Sequence, residues 1–102
     1  MINSIKEKIY ERKAQIYLDM LLDSFYDDYS KKIRRKESTL KCTGSLTLTN
    51  KDVNYIIMNK LFDKAWDMGA IVIEKHYEDL VFLKLAEQGR GIKHTLKIQK
   101  RI

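Results

Sequence analysis

The first third of the chain contains neither glycine nor proline, and this constrains the fold more than any other feature. From residue 4 to about residue 36, helix-forming residues predominate and apolar side chains recur every three or four positions. The pattern predicts a long helix over residues 1–36, with a small α/β core over residues 37–102 completing a single domain. Because a helix of about 30 residues spans about 45 Å, whereas a compact chain of this length has a radius of gyration of about 13 Å, we expect this helix to overhang its domain or to break near Ser24 or Asp27.

The apolar side chains of this helix form two stripes on nearly opposite sides. Packing on one sheet buries a single stripe, so the second is left for another contact. We expect a symmetric homodimer through this stripe, with a groove-type contact to another protein or a kinked helix wrapped around the core as alternatives. The predicted protein-interface residues are Ile5, Ile9, Ile16 and Met20, and the predicted core stripe contains Tyr10, Ala14, Leu18, Leu21, Leu22, Phe25 and Tyr29.

The rest of the chain predicts one strand, one helix and three further strands. Strict alternation indicates a half-buried strand over about 39–49. A second helix is expected over about 50–68, because Thr49 and Asp52 resemble a capping box and Gly69 stands at a C-terminal cap position. Strands are expected at 70–75, 80–86 and 92–99, with a hairpin loop at 76–79.

This order of elements predicts the α+β class. We expect the long N-terminal helix, a strand, the second helix and a three-stranded antiparallel meander, with both helices packed on one face of a small sheet. The order also resembles a winged helix, whose hairpin and recognition helix contact DNA. That resemblance is a minor alternative, because winged helices have two helices before the hairpin, whereas residues 50–69 predict one.

The charge is strongly basic and is concentrated in two places. The chain has 20 Lys and Arg residues against 14 Asp and Glu residues, a net charge of +6. Such a balance favours anionic partners. One block ends the first helix, where cations also complement the helix dipole. The other block runs along the last predicted strand, where cations also prevent a sheet edge from pairing with another chain.

We predict that these cations contact nucleic acid. Lysines along a strand can follow a phosphate backbone, and an exposed Phe82 beside Lys84 offers a base a stacking surface. The predicted nucleic-acid-binding residues are Lys31, Lys32, Arg34, Arg35, Lys36, Lys84, Arg90, Lys93, Lys97 and Arg101.

No catalytic or cofactor motif stands out. Cys42 is the only cysteine, so an internal disulfide and a thiolate zinc cluster are excluded. His76 lies beside acidic residues, but nothing in the sequence places a nucleophile near it. We therefore expect a protein that is not an enzyme and needs no cofactor or metal. The alternatives are a small ribonuclease toxin and a divalent-cation site at the acidic residues Asp19, Asp23, Asp27 and Asp28.

The expected setting is the bacterial cytoplasm. No apolar run is long enough for a membrane span or a signal peptide, and residues with AT-rich codons predominate, as in low-GC bacteria and their phages. We therefore predict a small basic binding protein of a phage or mobile element that contacts nucleic acid. The alternative is a protein–protein inhibitor or adaptor, such as a phage protein that blocks a host or defence complex of the anti-CRISPR type.

Overall fold

A computed structural model describes residues 2–38 and 41–87. The elements, in chain order, are α1 (Ile2–Arg34), β1 (Gly44–Thr49), a one-turn 3-10 helix (Asn50–Asp52), α2 (Tyr55–Asp67), β2 (Ala70–Tyr77) and β3 (Leu80–Glu87). β3 lies between β1 and β2 and pairs antiparallel with both. Both helices pack against one face of this sheet, so the predicted α+β arrangement is confirmed. The strand predicted at 92–99 lies outside the described residues.

α1 is continuous, so the alternative of a break near Ser24 or Asp27 does not occur. The helix ends in a Schellman motif, in which the amide of Glu37 donates to the carbonyl of Lys32 at 2.8 Å. With no glycine nearby, Lys36 takes the left-handed conformation, with a φ of 57°. The residues that α1 buries include five of the predicted core stripe, namely Ala14, Leu18, Leu21, Leu22 and Phe25.

β1 begins at Gly44 and not at residue 39 as predicted, because the chain on either side of Gly44 bonds to side chains of α1. The amide of Thr43 donates to the Asp28 carboxylate at 3.0 Å, and the amide of Ser45 donates to the Ser24 hydroxyl at 2.9 Å. A Cβ atom at Gly44 would overlap the carbonyl oxygen of Leu21. Glycine therefore lets the strand lie directly against the helix backbone.

α2 begins at Tyr55, not at residue 50 as predicted. The Thr49 hydroxyl donates to the Asp52 carboxylate at 2.8 Å, but this pair closes a 3-10 turn instead of capping an α-helix. The N-cap of α2 is Asn54, whose side chain accepts from the amide of Ile57 at 2.8 Å. At the other end, Gly69 has a φ of 86° and follows the helix as predicted.

The β2–β3 hairpin is tighter than predicted. Tyr77 pairs with Leu80, so the turn contains two residues instead of the predicted four. Glu78 permits this tight reversal by taking a φ of 55°. Between β1 and this hairpin the structure contains one 3-10 turn and one α-helix. The two-helix unit of a winged helix is therefore not formed.

Candidate nucleic-acid interface

The side of the sheet turned away from the helices forms a surface that we call the open face. Along β3, Val81, Leu83 and Leu85 are buried under the helices, whereas Phe82 and Lys84 point the other way and are exposed. The strand register then assigns the residues of β1 and β2 to each side. The open face contains Ser45, Thr47, Thr49, Ile71, Ile73, Lys75, Tyr77, Leu80, Phe82, Lys84 and Ala86.

An aromatic ring with a lysine on each of two sides lies at the centre of the open face. Phe82 is opposite Thr47 on one neighbouring strand and opposite Lys75 on the other. Lys84 is the next residue on the same side of β3, and its cross-strand neighbours are Ser45 and Ile73. Directly opposite residues have Cβ atoms about 4.5–5.5 Å apart. The ammonium group of Lys75 is therefore within side-chain reach of whatever lies on the ring, and Lys84 adds a second charge two residues further along the same side of β3.

The open face carries no carboxylate at any of its positions in β1, β2 and β3. The acidic residues Glu74 and Glu87 belong to the opposite side of the sheet, as their register partners Leu83 and Ala70 show. Two lysines without a neighbouring acid on the same surface produce a locally positive potential. This separation of charge is not visible in the net charge of the chain.

The predicted cation cluster at the end of α1 is largely paired with acids. Lys31 pairs with Asp27 at 3.0 Å and Lys32 with Asp28 at 3.4 Å. Arg35 lies 4.0 Å from Glu37. Within residues 2–38 and 41–87, Arg34 and Lys36 take part in no ion pair. The cluster therefore offers less positive charge to a partner than the sequence suggests.

The other predicted nucleic-acid-binding residues have different outcomes. Lys84 lies on the open face, on the same side of β3 as Phe82, as the alternation of residues along the strand predicts. Arg90, Lys93, Lys97 and Arg101 lie outside the described residues. Sequence reasoning missed Lys75 and Tyr77, because residue 75 was assigned to the end of a strand and residue 77 to a loop. The signal was the alternation of residues 71, 73, 75 and 77, which becomes visible once the strand is extended.

α2 is poorly suited to reading DNA as a recognition helix. Its lysines are directed at α1, where Lys60 pairs with Glu7 at 3.0 Å and with Glu11 at 3.6 Å, and Lys64 pairs with Glu11. The hydrogen bond from Lys64 lowers the pKa of Glu11, and the hydrogen bond to Glu7 raises the pKa of Lys60.

The outward side of α2 is acidic and aromatic. Asp63 and Asp67 are exposed there, together with Tyr55 and Trp66. Carboxylates on the leading surface of a helix repel phosphates in the DNA grooves. The open face is therefore the better candidate for an anionic polymer.

The four residues predicted as a protein interface are all exposed on α1. Ile5, Ile9, Ile16 and Met20 have exposed fractions between 45% and 61%. They lie on the side of the helix opposite its buried residues, so the prediction of two stripes is correct in its geometry. Ile5, Ile9 and Ile16 line a shallow groove together with Lys8, Arg12 and Lys13.

The remaining candidate groups have structural partners. His76 lies on β2, not in a loop, where it pairs with Glu74 and lines a groove beside α2. Cys42 is buried, and burial raises the pKa of its thiol, which keeps it protonated. Of the acidic residues considered for a metal, Asp28 is used to hold Thr43 and Lys32. In the part of the chain that the structure describes, potential ligands do not gather in groups of three or more.

Comparisons with known proteins give no further assignment. No protein-family model matches the chain, and no similar chain is found among curated proteins or solved structures. Neither helix in the described ranges combines the length and apolar composition needed to cross a bilayer. The functional inference therefore depends on the surfaces of the molecule.

Proposed function

We propose that this protein binds single-stranded nucleic acid on its open face. The observation that carries the proposal is the exposed ring of Phe82 beside Lys75 and Lys84 on a surface to which β1, β2 and β3 contribute no carboxylate. In this arrangement the lysines neutralise phosphates and the ring stacks on a base. Ser45 and Thr47 add hydroxyl groups that hydrogen-bond to phosphate, sugar or base.

A single strand fits this surface better than a duplex. Bases of a duplex are already stacked on each other, whereas unpaired bases are free to stack on an aromatic side chain. The exposed fraction of Phe82 is 39%, so part of the ring is accessible from the open face. A duplex groove would instead require an exposed basic helix or ribbon, and the exposed side of α2 is acidic.

Removing the ring tests the stacking contact. We expect Phe82→Ala to weaken binding of a fluorescein-labelled oligo(dT) or oligo(rU) by about fivefold to 150-fold, since one stacked base contributes about 1–3 kcal/mol. Phe82→Tyr keeps the ring and should bind within about twofold of wild type. Fluorescence anisotropy at 50 mM salt measures both, and circular dichroism shows that each variant is folded.

The matched control is Tyr55→Ala. Tyr55 is an aromatic residue with an exposed fraction of 77%, but it begins α2 on the helical side of the sheet. Its removal should leave the affinity unchanged. Equal losses for Phe82→Ala and Tyr55→Ala, or no binding by wild type at low salt, would contradict the proposed interface.

A second candidate function is a cytoplasmic inhibitor or adaptor that binds a bacterial protein complex. The exposed aromatic side chains Tyr55, Trp66 and Tyr77 favour it, because aromatic residues dominate the energetics of protein interfaces. The same titration separates the two functions. If wild type does not bind any oligonucleotide at 50 mM salt, the result favours the inhibitor or adaptor function. Binding that weakens steeply as the salt concentration rises favours the nucleic-acid-binding function.

A further inference from the structure

The exposed stripe of α1 changes from apolar to acidic along the helix. Ile9, Ile16 and Asp23 follow one another at intervals of seven residues, as do Met20 and Asp27. Heptad spacing keeps side chains on one side of a helix and is the spacing used by paired helices. The stripe therefore has the geometry of a helix-pairing seam that extends from Ile5 to Asp27.

The charges beside this seam have opposite signs in its two halves. The amino-terminal half carries Lys8, Arg12 and Lys13, all of which line the groove beside the isoleucines. The following half carries Asp19 and Asp23, both exposed, and Asp27, which pairs with Lys31. Two copies aligned in parallel would bring like charges together. Two antiparallel copies would bring each basic half against an acidic half.

We propose that the exposed stripe of α1 docks a second copy of this chain in antiparallel orientation. A two-fold axis between Ile16 and Met20 places these two side chains against each other across the seam. It also places Arg12 and Lys13 beside Asp23 of the second copy. The complementary charges fix the orientation, and Ile16 and Met20 of the two copies provide the apolar contact.

This dimer is independent of the proposed nucleic-acid interface. The stripe lies on the outer side of the helical layer, and the open face lies on the opposite side of the sheet. A dimer therefore presents two open faces turned away from each other. Failure of either proposal leaves the other intact.

Sedimentation equilibrium tests the dimer. We expect wild type at 50 µM to have twice the 12.1 kDa mass of the chain. Ile16→Glu/Met20→Glu, which places carboxylates in the apolar centre of the seam, should be monomeric. The control Ile33→Glu changes an exposed isoleucine outside the stripe and should leave the dimer intact.

Charge reversal tests the orientation. Arg12→Glu/Lys13→Glu should raise the dimer Kd at least tenfold, because both halves of the seam become acidic. Adding Asp19→Lys/Asp23→Lys to that variant restores opposite signs and should return the Kd to within about threefold of wild type. A monomeric wild type overturns the dimer, and a quadruple variant that dimerises no better than the double variant overturns the antiparallel arrangement.

Discussion

Gly44→Ala is expected to destabilise the fold by about 3 kcal/mol, at the upper end of the usual range for overpacking. The new Cβ would overlap the carbonyl oxygen of Leu21 and lie 3.0 Å from the amide nitrogen of Phe25. Both are backbone atoms of α1, so rotation of a side chain cannot relieve the overlap. The helix would have to move away from β1, which also strains the hydrogen bond between Ser24 and Ser45. Urea unfolding followed by circular dichroism measures the change.

The neighbouring substitution Ser45→Ala is the control. Its side chain lies on the open face, away from α1, and its backbone amide remains available to Ser24. The free energy of unfolding should change by no more than about 0.5 kcal/mol. If Gly44→Ala is as stable as Ser45→Ala, the close contact between β1 and α1 is wrong.

Lys75→Gln/Lys84→Gln is expected to reduce the salt dependence of nucleic-acid binding. Each phosphate contact contributes about 0.7 to the slope of log K against log salt for a single strand. Loss of two contacts should therefore lower the magnitude of the slope by about 1.4. Anisotropy titrations of oligo(dT) and oligo(rU) between 50 and 300 mM salt measure the slope and show which of the two is preferred.

A control with the same change in net charge is Lys6→Gln/Lys51→Gln, on α1 and on the 3-10 turn. Both lysines are exposed and lie outside the three strands, and the 3-10 turn contacts α1 through the hydrogen bond from Tyr17 to the carbonyl of Asp52. Their removal lowers the overall charge equally but should leave the slope nearly unchanged. Similar slopes for the two double variants would mean that binding follows net charge, with no preference for the open face.

Local patterns predicted the fold class well because each of them has a local physical cause. The absence of glycine and proline before Lys36 predicted α1, and Gly69 marked the end of α2. The predicted start of β1 was wrong because the first residue of the strand depends on a distant contact. The carboxylate of Asp28, fifteen positions earlier in the chain, accepts a hydrogen bond from the amide of Thr43. The capping of α2 was wrong because Thr49 and Asn54 are both suitable caps, and tertiary context selects Asn54.

The candidate site was only partly predictable, because it also depends on contacts between residues that are distant in the sequence. Alternation within β3 was enough to place Phe82 and Lys84 on one side. The addition of Lys75 and of the β1 hydroxyls requires the strand order, in which β3 is central. The ion pair between Lys31 and Asp27 could have been predicted from their spacing of four residues, since such residues are neighbours on a helix.

Chemical-shift mapping by NMR tests the central claim most directly. The ¹⁵N-labelled protein is titrated at low salt with an unlabelled single-stranded oligonucleotide. We predict that the largest amide shift changes occur at Ser45, Thr47, Ile73, Lys75, Phe82 and Lys84, with little change in α1 and α2. Changes concentrated in the helices, or no changes at a saturating oligonucleotide concentration, would contradict the assignment of the open face as the nucleic-acid interface.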